Sequence, residues 1–387
     1  MNEKTPALGS TATGLLQLPA LVLAGLANRR FGRSPARDPH WTLADSPERP
    51  HCVPDDRDVP VLTAETGVRF VRTPDERFAR LPGYPFEPHY ALIEGLRMHY
   101  VDEGPSNGPV VLMLHGQPSW SYLYRKMIPP LAAAGYRAIA VDHIGMGRSD
   151  KPVELGFHTF EKHVRRLKAF IATAGLKDIT LFCQDWGGLM GLRVVGDQPE
   201  LFARVVAANT TLPIIPRGLN PFRVPNPVKI DCSLGDFALP ADFSPATWAA
   251  NFQKWILYAL TAPNFTPGQV VAALAINKPS PEELAAYNAP YPSLIYKAAV
   301  RAFPSMVAAI EGQNVPAWRS LGKFQKPFLF FGGERDVNMG TRANQKRLTE
   351  HIPGAAGQPH ERFEAGHFIQ EDIGEILAQR MISWMKR

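Results

Sequence analysis

The chain predicts an α/β fold: a mostly parallel sheet flanked by helices, with a helical insertion. Three observations lead there. Short apolar runs alternate with helix-length amphipathic stretches. One run ends in QDWGG, a sharp passage from strand to helix. The alternation then stops between about residues 213 and 312 before it resumes.

Bulk composition agrees with one large core. Of 387 residues, 45% are hydrophobic and 20% charged, which argues against a disordered chain. The net charge is +6, but Lys and Arg are interspersed with acids and no block of five like charges occurs, so the charge reads as solvated surface with no nucleic-acid partner. Three cysteines, Cys52, Cys183 and Cys232, match neither a disulfide framework nor zinc spacing and fit a reducing, cytoplasmic setting.

Residues 1–68 read as an N-terminal extension. No charge occurs from 5 to 28, and LLQLPALVLAGLA at 15–27 precedes Arg29, Arg30 and Arg33. That stretch is short for a spanning helix, which needs about 20 predominantly apolar residues. The expectation is a helix packed on the fold or on a neighbouring subunit of a homo-oligomer. Peripheral attachment to a membrane surface, and a signal or anchor, are its alternatives. Residues 34–68 are rich in Pro, Asp and Arg without periodicity and predict an irregular arm.

The first part of the core spans 69–212. Apolar runs at 98–101, 110–114, 137–141, 179–183 and 205–208 predict strands, and 160–174 and 189–195 predict helices. From 213 to 312, Pro-rich loops such as PRGLNPFRVPNP lead into aromatic-rich helical stretches such as ATWAANFQKWILYAL. An insertion there forms a helical cap over the carboxyl ends of the strands, where open α/β sheets bind ligands. The second part of the core, 313–387, brings a further strand at 328–331. No internal repeat is present.

The stretch LFCQDWGGLMG at 181–191 has the form of a nucleophile elbow, in which the turn residue is held up at the top of the sheet. Here that residue is Asp185. Cys183 stands where a glycine is usual, as a small packing residue. A carboxylate nucleophile attacks carbon and forms an alkyl ester that water must hydrolyse, so a base is required. His367, in FEAGHFIQE, is the candidate, and Asp336, in FLFFGGERD, is its orienting acid. The order Asp185, Asp336, His367 is that of the α/β-hydrolase arrangement. Some enzymes of this kind place the acid one strand earlier, but VVAANTT offers Asn209 and no carboxylate. The oxyanion donors are then the backbone N–H groups of Trp186 and of Gln117 in the loop VLMLHGQPSWSYLYRKMIP. Taken alone, Asp185 also reads as an acid offsetting a helix dipole, and His367 and Asp336 as ordinary loop residues. Their order and spacing carry the inference.

These stretches resemble the haloalkane dehalogenases, in the subgroup that carries HGxPxWSYLYRKMIP, QDWGG and AGHFxQE. The matching segments are HGQPSWSYLYRKMIP at 115–129, QDWGG at 184–188 and AGHFIQE at 365–371, with lesser matches in RTPDERFARLPGYPF, YVDEG, GMGRSDKP and VRAFPSMV. The resemblance covers roughly residue 70 to the end and implies nothing for the N-terminal arm. It implies hydrolytic dehalogenation of a haloalkane, with water as the only co-substrate and no metal or organic cofactor. It also implies two indole N–H groups for the departing halide, Trp186 and, in the cap, Trp255, with Trp248 as the alternative. Gln117, where related subgroups carry Asn, favours the two-Trp arrangement. The epoxide hydrolases are the runner-up: they use the same Asp and His with paired cap tyrosines, here drawn from Tyr258, Tyr287, Tyr291 and Tyr296. A hydrolase-like scaffold whose N-terminal arm does the work is the third reading.

Overall fold

The computed structural model describes residues 56, 58–215, 248–262 and 264–387, with the side chains of 248–250 outside that description. The expectations for 1–55 and for the Pro-rich loops of 216–247 fall outside the described residues, as do Cys52 and Cys232.

Eight strands form the main sheet: β1 (His89–Ile93), β2 (Leu96–Glu103), β3 (Val110–Leu114), β4 (Arg137–Val141), β5 (Ile179–Gln184), β6 (Phe202–Ala208), β7 (Phe328–Gly333) and β8 (Glu361–Phe363). Their order across the sheet is β8-β7-β6-β5-β3-β4-β2-β1. β3 to β8 run parallel, while β2 is antiparallel to β4 and β1 antiparallel to β2. A small three-stranded sheet of Leu62–Thr63, Arg69–Val71 and Lys151–Pro152 stands apart.

Every apolar run expected as a strand is one. β5 and β7 are buried at every position, as strands covered by helices on both faces must be. The two strands of the main sheet that the sequence did not announce lie at its edges. β1 is partly exposed and β8 is three half-buried residues, so neither carries a continuous apolar run.

Helices cover the faces. Phe160–Thr173 starts where the Thr159 hydroxyl accepts from the Lys162 amide at 3.3 Å, and buries Phe160, Val164, Leu167, Phe170 and Ile171 along one side. Between β6 and β7 the described residues form helices, among them Trp248–Thr261, Pro267–Leu274, Pro281–Asn288 and Ala298–Met306. Among the described residues no helix is long and apolar enough to cross a membrane.

Register decides what meets what. Cys183 of β5 pairs with Leu114 of β3, Gln184 with Ala208 of β6, Phe331 of β7 with Ala208, and Gly333 with Phe363 of β8. The loops that follow these level strand ends carry Gln117, Asp185, Asn209, Asp336 and His367. They open beside β3, where the strand order reverses, which is where a doubly wound sheet leaves a crevice.

Candidate active site

Asp185 is the first residue of the helix Asp185–Asp197 and sits at φ +50°, a left-handed conformation that an Asp adopts at a small cost. Its neighbours hold it there. Its N–H donates to Asn209 O at 3.2 Å, and the Thr210 hydroxyl donates to its carbonyl at 2.8 Å. The helix leaves the turn so close to β3 that a Cβ at Gly187 would lie 2.1 Å from Leu114 O, so only glycine fits.

The carboxylate of Asp185 is buried and points at two partners. The Gln117 backbone N–H donates to Oδ1 at 2.8 Å, and His367 Nε2 faces Oδ2 at 3.5 Å. A Cβ at Gly116 would meet Oδ1 at 2.2 Å, so glycine leaves room for the loop to bring this amide in. The Gln117 side chain donates to Val300 O at 2.7 Å and ties the same loop to the helix Ala298–Met306.

His367 lies between β8 and the helix Ile369–Met385, and Asp336 follows β7. Nδ1 of His367 meets Asp336 Oδ2 at 3.0 Å, and the Asp336 carboxylate also accepts from the amides of Asn338 (2.8 Å) and Gly340 (2.7 Å). Burial alone would lower the imidazolium, but the Asp336 charge and the contacts to Asp185 outweigh it and hold His367 at about 10. For Asp336, burial is outweighed by the imidazolium charge and the two amides, and its pKa falls below the ordinary Asp value. The His367 loop is fixed to the insertion by its own N–H, which donates to Leu274 O at 2.9 Å.

Trp186 is buried with its ring against Phe303, centroids 5.5 Å apart. Trp255 is buried in the helix Trp248–Thr261, against Tyr258 at 5.8 Å and Phe265 at 6.2 Å. Arg301 joins its helix to Ala298–Met306 by donating to Ala259 O at 3.1 Å and Ala262 O at 2.7 Å. Asp185, Asp336, His367, Gln117 and Trp186 thus gather at one place, and Trp255 connects to them through the helix that carries Phe303. The Trp248 side chain lies outside the described residues. Among those residues no three His, Cys, Asp or Glu side chains converge as a metal-holding group.

Two residues given no role by the sequence stand inside this cluster. Asn209 (φ +42°) donates to the carbonyls of Gly366 (2.8 Å) and His367 (3.0 Å) and accepts from Gly333 N at 2.7 Å, so it ties three loops together. Gln184 donates to His367 O at 3.1 Å and lies 3.2 Å from its Nε2. The only sequence signal for either is position: Gln184 precedes Asp185, and Asn209 follows the next strand.

A family model described as alpha/beta hydrolase fold matches residues 109–372. A haloalkane dehalogenase of Mycobacterium marinum is 45% identical over 324 residues, covering 81% of this chain and 99% of that protein. This chain belongs to the haloalkane dehalogenases. A second haloalkane dehalogenase, of Psychrobacter cryohalolentis, is 40% identical over 329 residues, covering 82% and 98%. Among solved structures, the tetrameric haloalkane dehalogenase of Paraglaciecola agarilytica NO2 superposes with a TM-score of 0.67 at 32% identity, covering 81% of this chain and 97% of that one. Membership in this family does not favour the epoxide reading, and two of the four cap tyrosines are engaged elsewhere. The Tyr287 hydroxyl donates to Glu371 at 2.5 Å, and Tyr258 stacks on Trp255.

Proposed function

We propose that this chain hydrolyses haloalkanes to an alcohol, a halide and a proton through an ester on Asp185. The observation that carries the reading is the position of the Asp185 carboxylate, with Oδ1 on the Gln117 amide and Oδ2 facing His367. Oδ2 attacks the halogen-bearing carbon as the carbon–halogen bond breaks, and the halide leaves with the bonding pair. A buried anion needs directed donors, and the indole N–H groups of Trp186 and Trp255 supply them.

The ester is then hydrolysed. His367 takes a proton from water, whose oxygen adds to Cγ of Asp185. The charge that develops on Oδ1 meets the N–H groups of Gln117 and Trp186, and collapse releases the alcohol. Asp336 keeps the ring oriented with Nδ1 protonated.

In this reading residues 69–212 and 313–387 form the hydrolase core, 213–312 an inserted cap and 1–68 an N-terminal extension. The tetramer formed by the Paraglaciecola relative supports self-association. The decisive experiment compares bromide release from 1,2-dibromoethane by the wild type and by Asp185→Asn. Release by the wild type alone is expected; equal release by the variant overturns the role of Asp185.

A further inference from the structure

We propose that Gln184 is a positioning residue for His367, one that favours a bare Nε2, the form able to accept a proton from water. The proposal rests on the roles given above to Asp185 and His367.

Gln184 ends β5 and is fully buried. Its side-chain nitrogen donates to His367 O at 3.1 Å, and that contact fixes which end of the amide faces the ring, since an Oε1 there would oppose another oxygen. The same nitrogen lies 3.2 Å from Nε2. It carries two hydrogens, so it can serve the carbonyl and a bare Nε2 at once. An N–H donor suits a lone pair on Nε2 and opposes a proton there. Oε1 of Gln184 is buried with no partner among the described residues, so the amide is anchored through its nitrogen.

Nε2 therefore has two neighbours with opposite preferences. Asp185 Oδ2, at 3.5 Å, favours Nε2–H by its charge, and Gln184 favours the lone pair. Asp185 and Asp336 are the charged groups against the ring. Asp372, on the following helix, is turned instead to the amides of Gly366, Ile276 and Asn277. From the insertion, the contact is the neutral Leu274 carbonyl.

Ester formation removes one of the two neighbours. Once Oδ2 is bonded to carbon, the Asp185 charge is gone while the Gln184 N–H stays, so the balance at Nε2 tips toward the lone pair. The imidazolium gives its proton to solvent. Water then adds its oxygen to Cγ, and the Cγ–O(alkyl) bond breaks. The alcohol carries away one of the two water protons and His367 keeps the other, which restores the starting state. Haloalkane plus water thus give alcohol, halide and one proton, and Gln184 makes proton departure from His367 depend on ester formation.

The test separates the two half-reactions by rapid-quench mass spectrometry of the ester and by halide release, from about pH 5 to 10, with 1,2-dibromoethane. In Gln184→Met the acid limb of ester hydrolysis should move up by about one pH unit, the worth of a lost hydrogen bond. In Gln184→Glu, which accepts from Nε2–H, it should move further, while halide release keeps its pH profile. Both steps slowing together with an unmoved limb would overturn the proposal and leave Gln184 a packing residue. Asp185→Asn, which keeps Gln184 and imitates the neutral ester, gives a second measurement that needs no change at Gln184. There the ¹⁵N shift of His367 Nε2 should report a hydrogen-bonded lone pair at a pH where the wild type is an imidazolium. An Nε2–H that persists in Asp185→Asn as in the wild type also overturns it. Absence of any ester in the wild type would sink the underlying reading instead.

Discussion

The Gln117 N–H donates to Oδ1 of Asp185 over 2.8 Å, so the two carboxylate oxygens differ before any substrate arrives. Oδ1 is committed to that amide, and Oδ2, 3.5 Å from His367, is the less tightly held oxygen. If Oδ2 attacks carbon and water attacks Cγ, the alcohol inherits an oxygen from Asp185. A single turnover with enzyme in excess, run in ¹⁸O-water, should therefore yield unlabelled alcohol and one heavy oxygen in the peptide that contains Asp185. Label in the first-turnover alcohol would mean that water attacks the substrate carbon directly.

The His367–Asp336 contact makes a statement about stability against pH. The folded imidazolium, at about 10, lies above its ordinary value of 6.5, so its contribution is fully present below 6.5 and is lost as pH rises to about 10. Asp336→Asn removes the largest charge that raises it, and the alkaline loss of stability should shrink. Thermal melts of both proteins from about pH 6 to 10 check this. Parallel curves would show that the pair does not set the alkaline limb.

Much of this was legible from residue patterns, and the parts that were not have physical reasons. β5 and β7 announce themselves because a strand buried on both faces must be apolar throughout. The meeting of Asp185, Asp336 and His367 is readable because an elbow, a loop acid and a loop histidine recur in one chain order. Gln184 and Asn209 were silent because an amide serving backbone carbonyls leaves no pattern; the roles exist only once register brings β5, β6 and β7 level. Arg125 was equally silent. Its meeting with Glu371, 246 positions away, depends on the tertiary fold alone.

That meeting carries its own prediction. Arg125 is buried and donates to both oxygens of Glu371 at 2.6 and 2.7 Å, Lys126 and Tyr287 also donate to Glu371, and Glu283 accepts from Arg125 at 2.6 Å. The cluster pins the helix Pro281–Asn288 and the C-terminal helix to the loop after β3. Burial would raise the Glu371 carboxyl, but Arg125 and Lys126 outweigh it and hold it at about 2. The depressed value makes its stabilisation complete above 4.5 and lost as pH falls to about 2. Glu371→Gln leaves a buried guanidinium short of its carboxylate and should cost about 3 kcal/mol or more. Urea denaturation at neutral pH measures this, and a loss under about 1 kcal/mol would show that the cluster is well solvated.

The halide site is the remaining expectation to separate by experiment, because two cap tryptophans lie on one helix and only one is needed. Trp255 packs on Tyr258 and Phe265, in the helix that Arg301 binds to Ala298–Met306, and Phe303 of that second helix touches Trp186. This route leads from the insertion to the residue after Asp185. If both indoles donate to the departing ion, Trp186→Phe and Trp255→Phe each keep a ring in place and remove one N–H. A hydrogen bond to a charged group is worth about 1.5–3 kcal/mol, so each variant should weaken product inhibition by bromide about 10- to 100-fold. Trp248→Phe should leave it unchanged. Weakening in Trp248→Phe with normal inhibition in Trp255→Phe would move the second donor about two helix turns toward the N-terminus of the same helix, and the Trp255 ring would then be a packing residue of the cap.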